Sequence, residues 1–116
     1  MAYNRNKMCV VSALPLNGVL GATTAGQISA LCADYDDLVV LVNIASIGTQ
    51  IVEVSYNVVD VLGNPYQIAS TGPLVASGQA ALVVRRPLGA LSQVIATLSG
   101  TGNVTMFTEL HFSKDG

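Results

Sequence analysis

The sequence predicts an all-β protein, a single β-sandwich of jelly-roll-like character with about seven or eight mostly antiparallel strands. Three observations lead there. Val, Ile, Thr and Leu are abundant, and Gly, Pro, Asn and Ser punctuate them at short intervals. Several runs alternate apolar and polar residues with the period of two that marks a half-buried strand. Only residues 25–33 compete as a helix, and Gly26 with Asp34 would leave that helix barely two turns. The 116 residues suit one domain, 1–116, long enough to bury about 65% of its unfolded surface without staples.

Residues 1–8 are polar and carry Tyr3, Arg5 and Lys7. They read as an extended N-terminal arm that orders on a partner, with a frayed terminus as the plainer alternative. A weak strand follows at 8–14. The small-residue tract 18–26 is either an ordered arm or a surface loop. A second weak strand covers 27–32, and the polar cluster of Asp34, Tyr35, Asp36 and Asp37 makes a loop. Residues 38–44 are apolar on both faces, which predicts a central strand covered on two sides. Residues 45–48 link it to the next strand. From 50 to 60 the alternation is clear: Val52, Val54, Tyr56 and Val58 share one face, and Glu53, Ser55 and Asn57 the other. Leu62, Gly63, Asn64 and Pro65 form a turn. Strands at 66–69 and 80–85 are separated by turn residues at 70–73 and 77–78. Val94, Ala96 and Leu98 alternate with Gln93, Ile95 and Thr97. Residues 100–103 make a tight connection that predicts a hairpin with the last strand. That strand, 104–112, puts Val104, Met106, Thr108, Leu110 and Phe112 on one face and Thr105, Phe107, Glu109 and His111 on the other.

Charge is scarce: five Lys and Arg and seven Asp and Glu, or 10% of the chain, against 51% hydrophobic residues. A typical soluble domain is about 25% charged. Each charged group here serves about 500 Å² of surface. A surface this neutral predicts cover by copies of the same chain or by a larger assembly. A membrane span needs about 20 consecutive apolar residues, and the densest run is broken by Asn43 and then Gly48. No signal-peptide pattern precedes it. A net charge of −2 gives no field for nucleic acid or an anionic membrane. Cys9 and Cys32 read as two buried thiols, with a disulfide as the alternative, and fit no zinc spacing.

Little predicts catalysis. Glu109 and His111 lie two apart on one strand face and could serve acid–base chemistry, or simply face solvent or an interface. The serines lack a nucleophile elbow, and no Gly-rich loop precedes a helix. Asp34, Asp36 and Asp37 match no EF-hand, so an ordinary polar loop is expected, with a structural calcium at a subunit boundary as the alternative. No cofactor or metal is expected. Arg85 and Arg86, ahead of Pro87, are either a contact patch for partner carboxylates or a strand end kept soluble by charge.

Residues 37–112 resemble a β-sandwich family of tailed-bacteriophage virion proteins. The segments that carry the resemblance are DLVVLVNIASIGTQIVEVSY at 37–56, GQAALVVR at 78–85, QVIATL at 93–98 and GTGNVTMF at 100–107. The family often places Trp after the alternating strand, and this chain has none, with Tyr56 and Tyr66 nearest. The resemblance implies a capsid decoration (cement) protein, not an enzyme. It would bridge capsid subunits on the virion surface after synthesis in the host cytoplasm. Its partners would be the major capsid protein and itself, a trimer being favoured, with Tyr3, Arg5, Lys7, Tyr35, Asp36, Arg85 and Arg86 at the interfaces. A neck, tail or fibre-base component is the alternative within that class. Outside it stands a small carbohydrate-binding sandwich, for which Tyr3, Tyr35 and Tyr66 are the available rings, because Tyr56, Phe107 and Phe112 are assigned to the core or the sheet.

Overall fold

The computed structural model describes residues 7–12, 16–27, 36–85 and 92–114. They form nine strands: β1 (Lys7–Ser12), β2 (Gly18–Leu20), β3 (Thr24–Gln27), β4 (Asp37–Ser46), β5 (Val52–Val59), β6 (Pro65–Ser70), β7 (Gly78–Arg85), β8 (Ser92–Leu98) and β9 (Val104–Lys114). One sheet runs β1-β9-β4-β7, with β2 pairing β9 beyond β1. The other runs β3-β8-β5-β6, and every pairing is antiparallel. If β1 and β2 are counted as one interrupted strand, the order is that of an eight-stranded jelly roll, as the sequence predicts.

The alternation read from the sequence decides what lies between the sheets. β4 contributes Leu38, Val40, Val42 and Ile44; β5 contributes Val52, Val54 and Tyr56; β9 contributes Val104, Met106, Leu110 and Phe112. Leu82, Val84, Val94, Ala96, Leu16, Leu20 and Ile47 complete the core among the described residues. Each such side chain contributes about 1.5–3 kcal/mol on full burial. The Tyr56 ring is buried, and its hydroxyl meets the buried Ser92 Oγ at 2.8 Å. The phenol thus keeps a hydrogen bond inside the core.

Five expectations are corrected. Residues 38–44 are central in the sheet but covered on one face only: Leu41 is 37% exposed and Asn43 is exposed. On β5 the opposite happens, because Ser55 and Asn57 are buried on the outward face, with Asn57 Nδ2 donating to Ser55 Oγ. β8 and β9 form no hairpin: they belong to different sheets, and residues 99–103 arch between them. Turn residues serve an arch as well as a hairpin, so the sequence signal is the same. The tract 18–26 is neither arm nor loop, since it carries β2 and most of β3 across from one sheet to the other. The strand expected at 27–32 begins earlier, at Thr24, and residues 28–32 lie outside the described residues, as does Cys32.

Candidate functional site

At one end of the sandwich the connections β2–β3, β4–β5, β6–β7 and β8–β9 come together. Gln50, buried in the β4–β5 arch, is the hub: its Nε2 donates to Gly102 O at 2.8 Å, and its Oε1 accepts from Ile51 N and Gly100 N. Thr49 Oγ1 reaches Thr101 O and Thr101 Oγ1, each at 3.0 Å. Thr23 Oγ1 accepts from Leu98 N, and Val52 and Leu74 exchange backbone bonds. A Cβ on Gly100 would lie 2.5 Å from Thr49 O, so only glycine lets the arches approach this closely. The Gly–Thr turn at 48–49 and the Gly–Thr–Gly turn at 100–102 are therefore two halves of one clasp.

The other end gathers charge. Along the sheet, Lys7 pairs Lys114, and one residue inward Met8, Ser113, Asp37 and Arg85 stand in one row across β1, β9, β4 and β7. Asp36 is tied there by its N–H to Ser113 O at 3.0 Å. Three of the expected interface residues, Lys7, Asp36 and Arg85, thus come to one end of the sheet, spread across its width from β1 to β7. Lys7 and Met8, expected in the arm, open β1 instead. Tyr3, Arg5, Tyr35 and Arg86 lie outside the described residues, as do Asp34 and the rest of the arm. Among the described residues no cluster of three or more His, Cys, Asp or Glu could hold a metal ion.

Two apolar features escaped the sequence reading. At the β5–β6 turn, Val61 is 96% and Leu62 is 83% exposed. Asp60 fixes this tip: its carboxylate accepts from Asn64 N and Leu62 N at 2.9 Å, from Tyr66 OH at 2.9 Å and from Asn64 Nδ2 at 3.3 Å. These bonds, the Asn64 N–H foremost, lower the Asp60 pKa from the ordinary 3.8. The second feature is a groove of about 660 Å³ on the outer face of the β1-β9-β4-β7 sheet. Leu41, Asn43, Gln79, Ala81, Phe107 and Glu109 line it. Phe107, expected in the core or sheet, is half-exposed here. Asn17 closes one side; between the short partners β1 and β2 its Oδ1 takes the Thr108 N–H at 2.6 Å. His111 Nε2 and Glu109 Oε1 sit 3.3 Å apart on the same face, and Val39, the β4 neighbour of His111, offers no third catalytic group.

No protein-family model matches the chain, and no curated protein matches it. Solved structures do. SPBc2 prophage-derived protein YomS aligns with TM-score 0.64 and 11% identity over 98% of this chain and 99% of that one. Infectious bursal disease virus, Gx strain, aligns with TM-score 0.54 and 14% identity over 98% of this chain and 33% of the viral one. The Clostridium thermocellum xylanase Xyn10B CBM22-1–GH10 modules, complexed with xylohexaose, align with TM-score 0.51 and 12% identity over 94% of this chain and 25% of the enzyme. The chain spans a third or less of the last two. At these identities the likeness is one of fold.

Proposed function

We propose that this chain is a non-enzymatic virion structural protein, a capsid decoration (cement) protein that bridges capsid subunits and contacts copies of itself. The observation that carries this is the chemistry of its solvent-facing surface. Val19, Val61, Leu62, Val75, Val83 and Phe107 are each about half or more exposed, and the groove is lined by apolar and amide side chains with Glu109 as the single charge among its described residues. Charge collects instead at the Lys7–Asp37–Arg85 end. Such a surface suits adhesion between subunits. Alignments to a prophage-derived protein and to a virus structure fit a jelly roll in this role.

The test is cryo-electron microscopy of virions of the source phage, with and without residues 1–6, which precede β1. The full chain is expected as many symmetry-placed copies on the capsid surface, and the shortened chain should fold yet attach more weakly. Copies confined to the neck or tail would replace the cement role by the alternative one, and absence from the particle would refute both. The exposed Phe107 beside Asn43 and Gln79 favours a second reading, a carbohydrate groove, because a ring covers an apolar sugar face while amides bond hydroxyls. A glycan array with the wild type and Phe107→Ala separates the two.

A further inference from the structure

The four sheet edges differ in how they are guarded. β6 begins at Pro65 and its pairing slips between Tyr56 and Asn57, and β1 carries the charged Lys7. β7 carries none of these devices. Its eight residues pair with β4 in unbroken register from Gly78 to Arg85, with no proline and with charge only at the last position. Its outward side chains, Gln79, Ala81, Val83 and Arg85, are all exposed, and no described strand pairs with its other side. A long, flat, uncharged edge offers a row of unpaired N–H and C=O groups, and only another strand satisfies them all.

We propose that β7 pairs with β7 of a second copy about a twofold axis, antiparallel, with Leu82 opposite Leu82. The order of residues selects the occupant and its direction. The first half of β7 is small (Gly78, Gln79, Ala80, Ala81) and the second half is bulky (Leu82, Val83, Val84, Arg85). Antiparallel self-pairing sets Val84 against Ala80 and Val83 against Ala81, so large side chains meet small ones on both faces. It sets Arg85 against the Gln79 amide. Parallel pairing would oppose Arg85 to Arg85 and bulk to bulk, which is unfavourable. The two core sheets would then run as one sheet through the axis, a self-complementary contact. This deepens the self-association in the proposed function, and it neither requires nor forbids a threefold contact elsewhere.

The test is the mass of the full-length protein by sedimentation at two concentrations, for the wild type, Ala81→Lys and Gln79→Glu. Both substituted side chains are exposed, so circular dichroism should be unchanged. The wild type is expected to hold an even number of subunits. Ala81→Lys should halve that mass, with Kd raised about tenfold or more. Gln79→Glu, which would face Arg85 of the second copy twice over, should lower Kd about fivefold. An odd-numbered wild type, monomer or trimer, overturns the pairing, and so does an unchanged mass in Ala81→Lys. Weaker association in Gln79→Glu overturns the Leu82 register. Solution mass leaves the position of copies on the virion untouched, so either idea can fail alone.

Discussion

Replacing Gln50 by alanine tests whether one buried amide holds the two arches together. The substitution removes three hydrogen bonds, to Gly102 O, Ile51 N and Gly100 N. Each is worth about 1 kcal/mol net, and partly buried groups left without partners push the sum upward. The expected loss is about 3 kcal/mol, a large part of the roughly 5–15 kcal/mol that a domain of this kind has. The melting temperature should fall by about 10–15 °C. Urea unfolding followed by circular dichroism checks it, with an unchanged m-value showing that the unfolded state is not the cause. Thr49→Ala is the internal control: its hydroxyl is exposed, so its loss should cost under about 1 kcal/mol. Gly100→Ala approaches the clasp from the other arch, where the new methyl would press on Thr49 O and Gln50 Cα, both backbone. It should destabilise at least as much as Gln50→Ala. A Gln50→Ala protein within about 0.5 kcal/mol of the wild type would mean that the arches are held by core packing alone.

Two further outcomes follow from individual side chains. Thr108 Oγ1 is buried on the core side of β9 with no hydrogen-bond partner among the described residues, so Thr108→Val should stabilise the fold by about 1–3 kcal/mol in the same urea assay, and a loss of stability would reveal a partner for the hydroxyl. The lowered Asp60 pKa means that its contribution is fully present above the ordinary 3.8 and is lost as the pH falls through the lowered value. The amide resonances of Leu62 and Asn64 should therefore hold steady above that range and move together below it, and should lose this titration in Asp60→Asn; a midpoint at or above 3.8 would contradict the turn geometry.

Much of the fold was legible because sandwich strands write their burial into alternate residues. β5 and β9 were readable for that reason, and Val52, Val54, Tyr56, Met106, Leu110 and Phe112 are in the core as the period of two requires. β4 was misjudged because Val39 and Leu41 are apolar yet face outward. Hydrophobicity reports that a residue tolerates burial, and the cover itself is decided by a partner the sequence does not contain. The same limit hid the arch at 99–103: Gly100, Thr101 and Gly102 announce a turn, but which strand follows into which sheet depends on pairing with residues some fifty positions away. At the candidate interface, Lys7, Asp36 and Arg85 were visible as rare charges, and only the β1-β9-β4-β7 pairing brings them to one end of the sheet. Val61 and Leu62 had no signal beyond being two apolar residues inside a turn, with Asp60 in place to hold it.

The jelly roll by itself does not choose between adhesion and sugar binding, since the fold serves viral shells and lectins alike. The side chains on its outer faces bear on the choice. A sugar groove needs rings that stack and polar groups that converge on one ligand. Here Phe107 is the single ring among the described residues of the groove, Tyr66 is committed to Asp60 at the β5–β6 tip, and Asn17 is committed to the Thr108 backbone. An adhesive surface needs apolar side chains on rigid supports, strand edges that accept partners, and charge placed where it sets orientation rather than spread for solubility. In the proposed role the clasp around Gln50 would supply the rigidity, β7 the edge, and the charged end that holds Lys7, Asp37 and Arg85 the orientation. The scarcity of charge and the places where the few charges stand thus support the proposed adhesive role over sugar binding.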